Sequence, residues 1–487
     1  AERLRTAKVE PEFARRRALI REQVETLAAS IQGTATIPED LLDEVTALCE
    51  WPVALLGGFD PRFLEVPPEV LIETMQSNQK YFAIFDAQGA LLPSFITVSN
   101  IDSREPELVR AGNERVIRPR FSDAMFFWEQ DLKTRLEARQ ARLASIVFQH
   151  KLGSVWDKSR RVATLAHEIA ETLGEDAELA ERAALLGKCD LVTLMVGEFP
   201  SLQGTMGRYY AARDGEDPCV VAAMEEQYLP RHAGDALPQS ACGRALALAD
   251  KLDSLVGIFA IGERPSGVKD PYGLRRAAIG VLRILIETPL ALDLKTLLES
   301  AARGFPEQIG AAAVVDEVLG YLTDRLPGYY ADAQISGDNV EAVLAVGVTT
   351  PSDLDRRVHA VADFRGLDAA EALAAANKRI RNILKKSAAE EAEAPLEASL
   401  LQEPAERALA EAIEVMRIEV APLQAQQDYA GMLRVLAGLR EPVDRFFDEV
   451  MVMAEDAALR TNRVALLREL AQLFLAIADF SRLQAAT

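Results

Sequence analysis

The sequence predicts a mainly α-helical protein with one smaller α+β region. Leu and Ala are abundant among the 487 residues while aromatic residues make up only 6%, a composition typical of helices. From about residue 106 onward, apolar side chains recur at spacings of three and four, the period of one helix face. The clearest β-branched and aromatic runs lie within residues 51–100. The length exceeds what one core accommodates, and about three or four domains are expected.

Residues 1–130 form the predicted α+β region. Residues 1–50 indicate charged helices, and because the chain opens AERLRTAKVE without Met we expect an N-terminally truncated chain. The stretch KYFAIFDAQGALLPSFITVSN (80–100) places two apolar runs around Asp86-Ala-Gln-Gly89, which predicts a β-hairpin. The flanking WPVALLGGF (51–59) and FLEVPPEVLI (63–72) are predicted to be neighbouring strand and turn elements.

Three helical regions are predicted to follow, at 131–290, 291–374 and 375–487. The last boundary lies where GLDAAEALAAANKRIRNILKKS changes from Ala-rich to basic. Beyond it, Leu436, Leu439, Val443, Phe446 and Val450 recur at helical spacing. Pro442 cannot continue a helix but suits the first position of a new one, so two helices are predicted to meet there. A final amphipathic helix is predicted from Val464, Leu467, Leu470, Phe474 and Ile477.

The net charge of −21 argues against indiscriminate nucleic-acid binding, which depends on neutralising phosphates. Local basic segments exist nevertheless. GNERVIRPRFSDAMFFWEQD (112–131) sets Arg115, Arg118 and Arg120 among aromatic residues, and VKDPYGLRRAAIGVLRIL (268–285) carries Arg275 and Arg276. Arginines beside aromatic rings suit phosphate and stacking contacts with looped RNA. An intramolecular ion-pair network is the alternative for each segment.

Several classes of protein are disfavoured by what the sequence lacks. It contains neither GxxxxGK[ST] nor GxGxxG opening a helix, and its four cysteines show no CxxC spacing of the kind that forms a zinc ribbon. No apolar run approaches the roughly 20 residues that span a bilayer, and no signal peptide is visible. We therefore expect a cytoplasmic protein without membrane association.

Three segments resemble a metal-binding fold, but two of its histidine ligands are replaced by other residues. DKSRRVATLAHEIAETLG (157–174), LLGKCDLVT (185–193) and LALADKLDSL (246–255) resemble the HD metallohydrolase fold in order and helical character. Matched residue by residue, Lys158 occupies the first His position, Cys189-Asp190 replaces the His-Asp pair, and Asp250 remains as the last ligand. With two imidazoles missing, we expect an HD-like helical domain at 131–290 that binds no metal. An active metal-dependent phosphohydrolase is the alternative.

Longer stretches carry a more specific signal: FQHKLGSVWDKSRRV, LLGKCDLVTLMVGEFPSLQGTMGRYYA, EQYLPRHAGDALP, ALADKLDSLVGIFAIGERPSGVKDPYGLRRAAIGVLRI and LREPVDRFFDEVMVMAEDAALRTNRVALL. In this order, over essentially the whole chain, they resemble the β subunit of the bacterial tetrameric glycyl-tRNA synthetase. The region from about 375 is similar to the helical anticodon-binding domain of arginyl-tRNA synthetase. Leu439-Arg440 matches that domain's LxxLRxPVDxFFD core, and Arg460 with Asn462-Arg463 matches its LRxNRLxLL helix start.

The resemblance implies that a separate α subunit binds ATP, Mg and glycine, while this chain holds tRNA-Gly within an α2β2 assembly and binds no cofactor of its own. The expected anticodon-side contacts are Lys378, Arg379, Arg381, Arg440, Arg460 and Arg463. Weaker candidates for the acceptor arm or the α interface are Arg115, Arg118, Arg120, Arg275 and Arg276. Arg460 and Arg463 could instead pair with Asp456 and Glu469. A helical scaffold without an RNA role is a further alternative function.

Overall fold

The computed structural model describes residues 2–387 and 394–484. Helices predominate within them, as predicted. The helices are α1 (Glu2–Thr6), α2 (Phe13–Ser30), α3 (Glu39–Leu48), α4 (Pro68–Glu73), α5 (Pro106–Asp131), α6 (Val155–Leu173), α7 (Ala177–Leu186), α8 (Leu194–Glu198), α9 (Thr205–Asp214), α10 (Pro218–Glu226), α11 (Ala241–Ala260), α12 (Leu274–Glu287), α13 (Leu294–Arg303), α14 (Val315–Thr323), α15 (Leu326–Ala331), α16 (Gly337–Leu344), α17 (Pro351–Phe364), α18 (Ala370–Lys386), α19 (Pro404–Ala425), α20 (Tyr429–Leu436), α21 (Arg440–Glu449) and α22 (Ala457–Leu475). The strands are β1 (Thr34–Ala35), β2 (Val53–Gly58), β3 (Phe82–Phe85), β4 (Leu91–Ser99), β5 (Val147–Gln149) and β6 (Gly153–Ser154).

The chain forms two compact units. One comprises residues 1–160 and 182–227, and the other comprises residues 161–181 and 228–487. This division does not follow the predicted boundaries after residues 130, 290 and 374, so the four-part division stays a prediction. Across the described residues, no helix combines the length and the apolar composition that crossing a bilayer requires.

The first unit contains a four-stranded antiparallel sheet in the order β1-β3-β4-β2. Successive side chains of a strand point to opposite faces, so Ile96 of β4 faces α2 and α3 while Phe95 faces away from them. Ile96 packs in a buried core with Ile20 and Leu42 of the two helices. On the other face, the Phe95 and Tyr81 rings stack with centroids 4.4 Å apart.

Helix α5 is attached to this sheet and to the residues flanking its strands by polar and aromatic contacts. The Glu114 carboxylate accepts a hydrogen bond from the backbone N–H of Gly58 at 3.0 Å. The buried Phe121 ring lies edge-on to Phe59 and Phe63, with centroid distances of 4.8 and 5.6 Å. These contacts fix one side of α5 and leave its opposite side to solvent.

The predicted hairpin is confirmed, since β3 and β4 pair antiparallel around the turn at residues 86–90. The strand predicted within residues 51–59 is confirmed as β2. The strand-and-turn prediction for residues 63–72 is confirmed only for its turn, since a 3₁₀ turn (Pro61–Glu65) is followed by helix α4 and not by a strand. The physical reason is Pro68, whose fixed φ and missing N–H suit the first position of a helix.

The apolar series predicted for the C-terminal region is confirmed. Leu436, Leu439, Val443, Phe446 and Val450 are all buried. Pro442 lies in the first turn of α21, which follows α20 and a 3₁₀ turn, so two helices do meet there. The series Val464, Leu467, Leu470, Phe474 and Ile477 is likewise buried, and all but Ile477 belong to α22.

After α22, residues 476–484 run back across helices that precede the C-terminal region. The Arg357 guanidinium of α17 donates to the carbonyl oxygens of Ala476 and Ile477, at 2.7 and 3.0 Å. The backbone N–H of Asp479 donates to the carbonyl oxygen of Ala342 in α16 at 2.8 Å. We call residues 476–484 the return segment.

Candidate nucleic-acid interface

Helix α18 carries the basic run of the C-terminal region. Its alanine-rich first half favours helix formation. Leu373, Ala376 and Ile380 are buried at helical spacing and attach the helix to its neighbours. The other side is exposed to solvent, and it presents Lys378, Arg379, Asn382, Lys385 and Lys386.

The three lysines on this face have no hydrogen-bonding or ion-pair partner within residues 2–387 and 394–484. The Arg379 guanidinium lies over the Phe447 ring, 4.1 Å from its centroid. A cavity of about 440 Å³ opens beside these groups and is lined by Lys378, Arg379, Asn382, Lys386 and Met453 among others. We call it the basic cavity. Its mixture of cations, an amide and a polarisable thioether suits phosphate and nucleobase contacts.

Two of the other predicted anticodon-side arginines make intramolecular contacts. Arg381 forms an ion pair with Asp479 at 2.6 Å and donates to the Ser481 hydroxyl at 2.7 Å, so it faces the return segment. Arg440 is half-exposed, donates to the carbonyl oxygen of Asp368 at 3.1 Å and lies 3.8 Å from the Asp444 carboxylate. Arg440 is the more exposed of the two, with 50% of its side chain accessible against 37% for Arg381.

Arg463 lies in the interior. Its guanidinium pairs with Glu406 and donates to the carbonyl oxygen of Met451 at 2.9 Å, and its side chain is 9% exposed. The Glu406 carboxylate also accepts from the backbone N–H groups of Gln402 and Glu403, as part of the capping box that begins α19. The partner of Arg463 is therefore Glu406 and not the predicted Glu469, which pairs with Arg417. Because the Arg463 guanidinium is buried and paired, it is not accessible to RNA.

Arg460 lies at the start of α22. Its guanidinium donates to the carbonyl oxygen of Ala454 at 3.0 Å and its side chain is part-buried. The Asp456 carboxylate caps α22 by accepting from the N–H groups of Ala458 and Leu459, at 2.8 and 3.2 Å. Arg460 is thus set against the turn that precedes its own helix.

The arginines of α5 contrast with those of α22. Arg115, Arg118 and Arg120 are exposed and have no ion-pair partner in the part of the chain that the structure describes. Val116 and Phe126 on the same helix are also about half exposed. The intramolecular network considered as an alternative is absent at these three positions, within the described residues.

The two arginines of α12 differ from each other. The Asp270 carboxylate caps α12 by accepting from the N–H groups of Leu274 and Arg275, at 2.8 and 2.9 Å. The Arg275 side chain folds back to the carbonyl oxygen of Gly267 and braces the preceding loop. Arg276 is exposed, and no partner for its side chain exists among the described residues.

Two positions that match HD ligands have chemistry unsuited to a cation. Cys189 is a buried free thiol that donates to the carbonyl oxygen of Leu185 at 3.5 Å. Burial raises the pKa of this thiol to about 12, which disfavours the thiolate that a metal needs. One oxygen of the buried Asp190 carboxylate accepts from the N–H groups of Gly204 and Gly207, at 2.6 and 3.2 Å. Burial raises the pKa of Asp190 to about 6.

The other two positions that match HD ligands, Lys158 and Asp250, lie in helices α6 and α11. The buried Lys158 ammonium lies 4.9 Å from the centroid of the Phe148 ring. Asp250 lies in α11, where its carbonyl oxygen accepts from the Ser254 hydroxyl at 2.8 Å. Asp253, three residues on, pairs with Arg161 at 2.7 Å. Among residues 2–387 and 394–484, no three His, Cys, Asp or Glu side chains are grouped so as to hold a metal ion.

Sequence reasoning missed Asn382 and Met453 as lining of the basic cavity. Asn382 could have been identified from the sequence, because it lies four residues from both Lys378 and Lys386 and so shares their helix face. Met453 had none, since it lies more than 60 residues from α18 and only the fold brings it to the cavity.

Comparison with known proteins agrees with the resemblance. A family described as glycyl-tRNA synthetase beta subunit matches residues 1–345, and a DALR anticodon binding domain matches residues 373–479. The glycine–tRNA ligase beta subunit of Pseudomonas aeruginosa (strain PAO1) is 53% identical over 484 residues, which cover 99% of this chain and 70% of the relative. That of Marinobacter nauticus is 54% identical over 479 residues, covering 98% and 68%.

The match of the first family covers well over half of the chain, and the relatives are matched over about two thirds of their own length. The residues behind the expected resemblance lie in both matched regions. The chain therefore belongs to the family of glycyl-tRNA synthetase beta subunits and contains a DALR anticodon-binding domain.

Proposed function

We propose that this chain binds tRNA-Gly and positions it for ATP-dependent glycylation in the active site of a separate α subunit. The basic cavity supports this proposal best, because it lies within the segment matched to an anticodon-binding domain. Its lysines are not neutralised by any described side chain, so their charge is available to phosphates. ATP and Mg belong to the α subunit in this proposal, and α2β2 is the assembly.

We choose the residues that contact tRNA by how exposed their side chains are and by whether those side chains already form ion pairs. On the anticodon side we retain Lys378, Arg379 and Arg440 and add Lys386. We do not retain Arg463 and Arg381, whose guanidinium groups are committed to Glu406 and Asp479. Arg460, set against Ala454, takes at most a supporting role.

The second contact region is assigned to the acceptor arm. Arg115, Arg118 and Arg120 of α5 carry this assignment because they are exposed and lack ion-pair partners in the described part of the chain. Arg276 is a weaker candidate for this contact region. Arg275 is not assigned to it, because its side chain donates to the carbonyl oxygen of Gly267 in the preceding loop. Holding one tRNA at two places orients its terminal adenosine, and orientation alone removes much of the entropic barrier of a transfer reaction.

The acidic net charge is compatible with this role. Local lysines and arginines attract the tRNA backbone, whereas the acidic remainder of the surface disfavours unrelated RNA. We propose that residues 131–290 keep an HD-like helical fold without its hydrolytic chemistry. The protonated thiol of Cys189 and the Gly204 and Gly207 N–H groups on Asp190 support that proposal over a phosphohydrolase.

The test measures tRNA-Gly affinity as a function of salt for Lys378→Ala combined with Lys386→Ala. Each phosphate contact contributes about one unit to the slope of log K against log salt, so the double variant should flatten the slope by about 2. Arg434→Ala is the matched control, because Arg434 is an exposed cation of α20 that does not line the cavity.

The proposal predicts an unchanged slope for the control variant. An unchanged slope for the double variant, with folding intact by circular dichroism, would remove the basic cavity from the interface. Wild-type protein that shows no salt-dependent tRNA binding would favour the scaffold without an RNA role.

A further inference from the structure

A second cavity of about 500 Å³ lies along α18 next to the basic cavity. It has apolar walls that include Leu367, Ala374 and Leu483, and it has two acidic groups, Asp368 and Glu371. The two cavities share Ala375 and Lys378, so they form one continuous groove along the exposed side of the helix. We call the second one the carboxylate cavity.

One side of the carboxylate cavity is rigid and electrically neutral. Arg365 donates to both oxygens of Asp338, at 2.8 and 2.9 Å, and to the carbonyl oxygen of Gln484 at 2.8 Å. The backbone N–H of Gln484 in turn donates to Asp338 at 2.9 Å. These bonds satisfy the Arg365 charge within the protein, so Arg365 does not neutralise the two acidic groups of the cavity.

Asp368 and Glu371 differ from other carboxylates of this region. Asp338, Asp353 and Asp479 each pair with an arginine. The Asp368 and Glu371 side chains are exposed and have no hydrogen-bonding or ion-pair partner in residues 2–387 and 394–484. Their main chain is fixed, since the Asp368 carbonyl oxygen accepts from Arg440 and Glu371 lies in the first turn of α18.

The groove therefore has a positively charged end and a negatively charged end. Phosphates are attracted to the Lys378 and Lys386 end and repelled from the carboxylate end. A flat apolar group with hydrogen-bond donors on its edge fits the carboxylate end, because carboxylates only accept hydrogen bonds. A nucleobase that carries an exocyclic amino group meets both requirements, as its faces are apolar and its edge donates.

We propose that the carboxylate cavity receives an anticodon base, and that Asp368 and Glu371 select cytosine over uracil. This inference rests on the proposed function, which places the anticodon loop on α18. The N4 amino group of cytosine donates to a carboxylate, whereas uracil presents the O4 acceptor at the same position and is repelled. Glycine codons begin with two guanines, so every glycine anticodon carries two cytosines.

The experiment compares two anticodon stem-loops that differ only by one C→U change at an anticodon cytosine, with each of the two cytosines tested in turn. Binding to the full chain is measured by fluorescence anisotropy. The wild type should bind the cytosine form on the order of tenfold more tightly at one of these positions at least. Glu371→Gln and Asp368→Asn should each reduce that ratio several-fold, because a carboxamide donates as well as accepts and accommodates either base.

The ratio separates base selection from simple repulsion. Removing a negative charge tightens binding of both stem-loops equally if the carboxylates only repel RNA, and that result would overturn the inference. Glu371→Asp, which keeps the carboxylate, should keep most of the ratio. Asp363→Asn is the matched control, because Asp363 is an exposed carboxylate in the last turn of α17 that does not line the cavity.

Failure of the inference is distinguishable from failure of the proposed function. Salt-dependent binding with a wild-type ratio of one at both cytosines, or a ratio that neither variant changes, would overturn the inference alone. Absence of salt-dependent binding for every stem-loop would overturn both.

Discussion

The exposed side of α18 and the beginning of α22 carry the same residue types and use them differently. On α18, Lys378 and Lys386 face solvent beside a cavity and have no partner among the described residues. At the beginning of α22, Arg463 is buried and pairs with Glu406, which belongs to the capping box that begins α19. Both runs match segments of the same anticodon-binding domain. A basic residue in a family motif therefore serves either the ligand or the fold, and its burial and pairing decide which.

The strongest test of this contrast is Arg463→Ala, which should lower the free energy of unfolding by about 3–5 kcal/mol. The reason is that Glu406 would keep a buried charge without its counter-ion. Urea denaturation of the whole chain at neutral pH measures the loss. Lys378→Ala should change stability by no more than about 0.5 kcal/mol, because its side chain contacts water.

A paired variant serves as the control for this prediction. Arg463→Met together with Glu406→Gln removes both charges and keeps an acceptor for the Gln402 and Glu403 N–H groups. Most of the lost stability should return. A loss below about 1 kcal/mol in Arg463→Ala would contradict the structural role of the pair.

Asp190 is a buried carboxyl group that, unlike Glu406, has no arginine partner among the described residues. Burial raises the pKa of Asp190 from 3.8 to about 6, so the folded state binds this proton more tightly than the unfolded state. The contribution of Asp190 to stability is therefore largest below pH 4, falls between pH 4 and pH 6, and is constant above. The fall amounts to about 3 kcal/mol for a shift of this size.

Asp190→Asn should remove this fall and make the protein more stable at pH 8, by up to about 3 kcal/mol. The amide oxygen can still accept from the N–H groups of Gly204 and Gly207. Urea midpoints of variant and wild type, compared at pH 8 and at pH 4.5, measure the difference. A variant that is less stable than the wild type at pH 8 would show that the ionised form is favoured in the fold.

The smallest effect is expected at Arg381, which lies on α18 but faces the return segment. Its ion pair with Asp479 is part-exposed, so Arg381→Ala should cost about 0.2–1 kcal/mol of stability. The salt dependence of tRNA binding should not change. A flatter salt slope, like that predicted for the lysine variants, would return Arg381 to the interface.

Short-range sequence patterns predicted much of the fold. The site was harder to predict, because the roles of its residues depend on partners that lie far away in the sequence. The hairpin at residues 80–100 and the buried series of α20 to α22 followed from periodicity and turn residues, which are short-range signals. The role of Arg463 did not, because its partner Glu406 lies 57 residues away. The strand-and-turn prediction for residues 63–72 missed helix α4, which begins at Pro68.

The candidate site divides in the same way. Lys378 and Arg379 could be identified from the basic run of α18 alone. Asp368 and Glu371 escaped notice because acidic residues beside a basic run suggest only a solvated surface. Their significance depends on the cavity, whose far wall comes from Leu483, more than 100 residues later in the chain.

The return segment gives the anticodon end of the protein a mechanical property. Residues 476–484 are bonded to α16 through Ala342, to α17 through Arg357, to Arg365 just after α17, and to α18 through Arg381. A tRNA loop bound to α18, as the proposed function has it, would therefore rest on a helix that several hydrogen bonds connect to α16 and α17. The C-terminal helices are therefore joined to the helices before them at several points, and severing the chain at residue 374 would separate them covalently from Ala342, Arg357 and Arg365, which make these bonds.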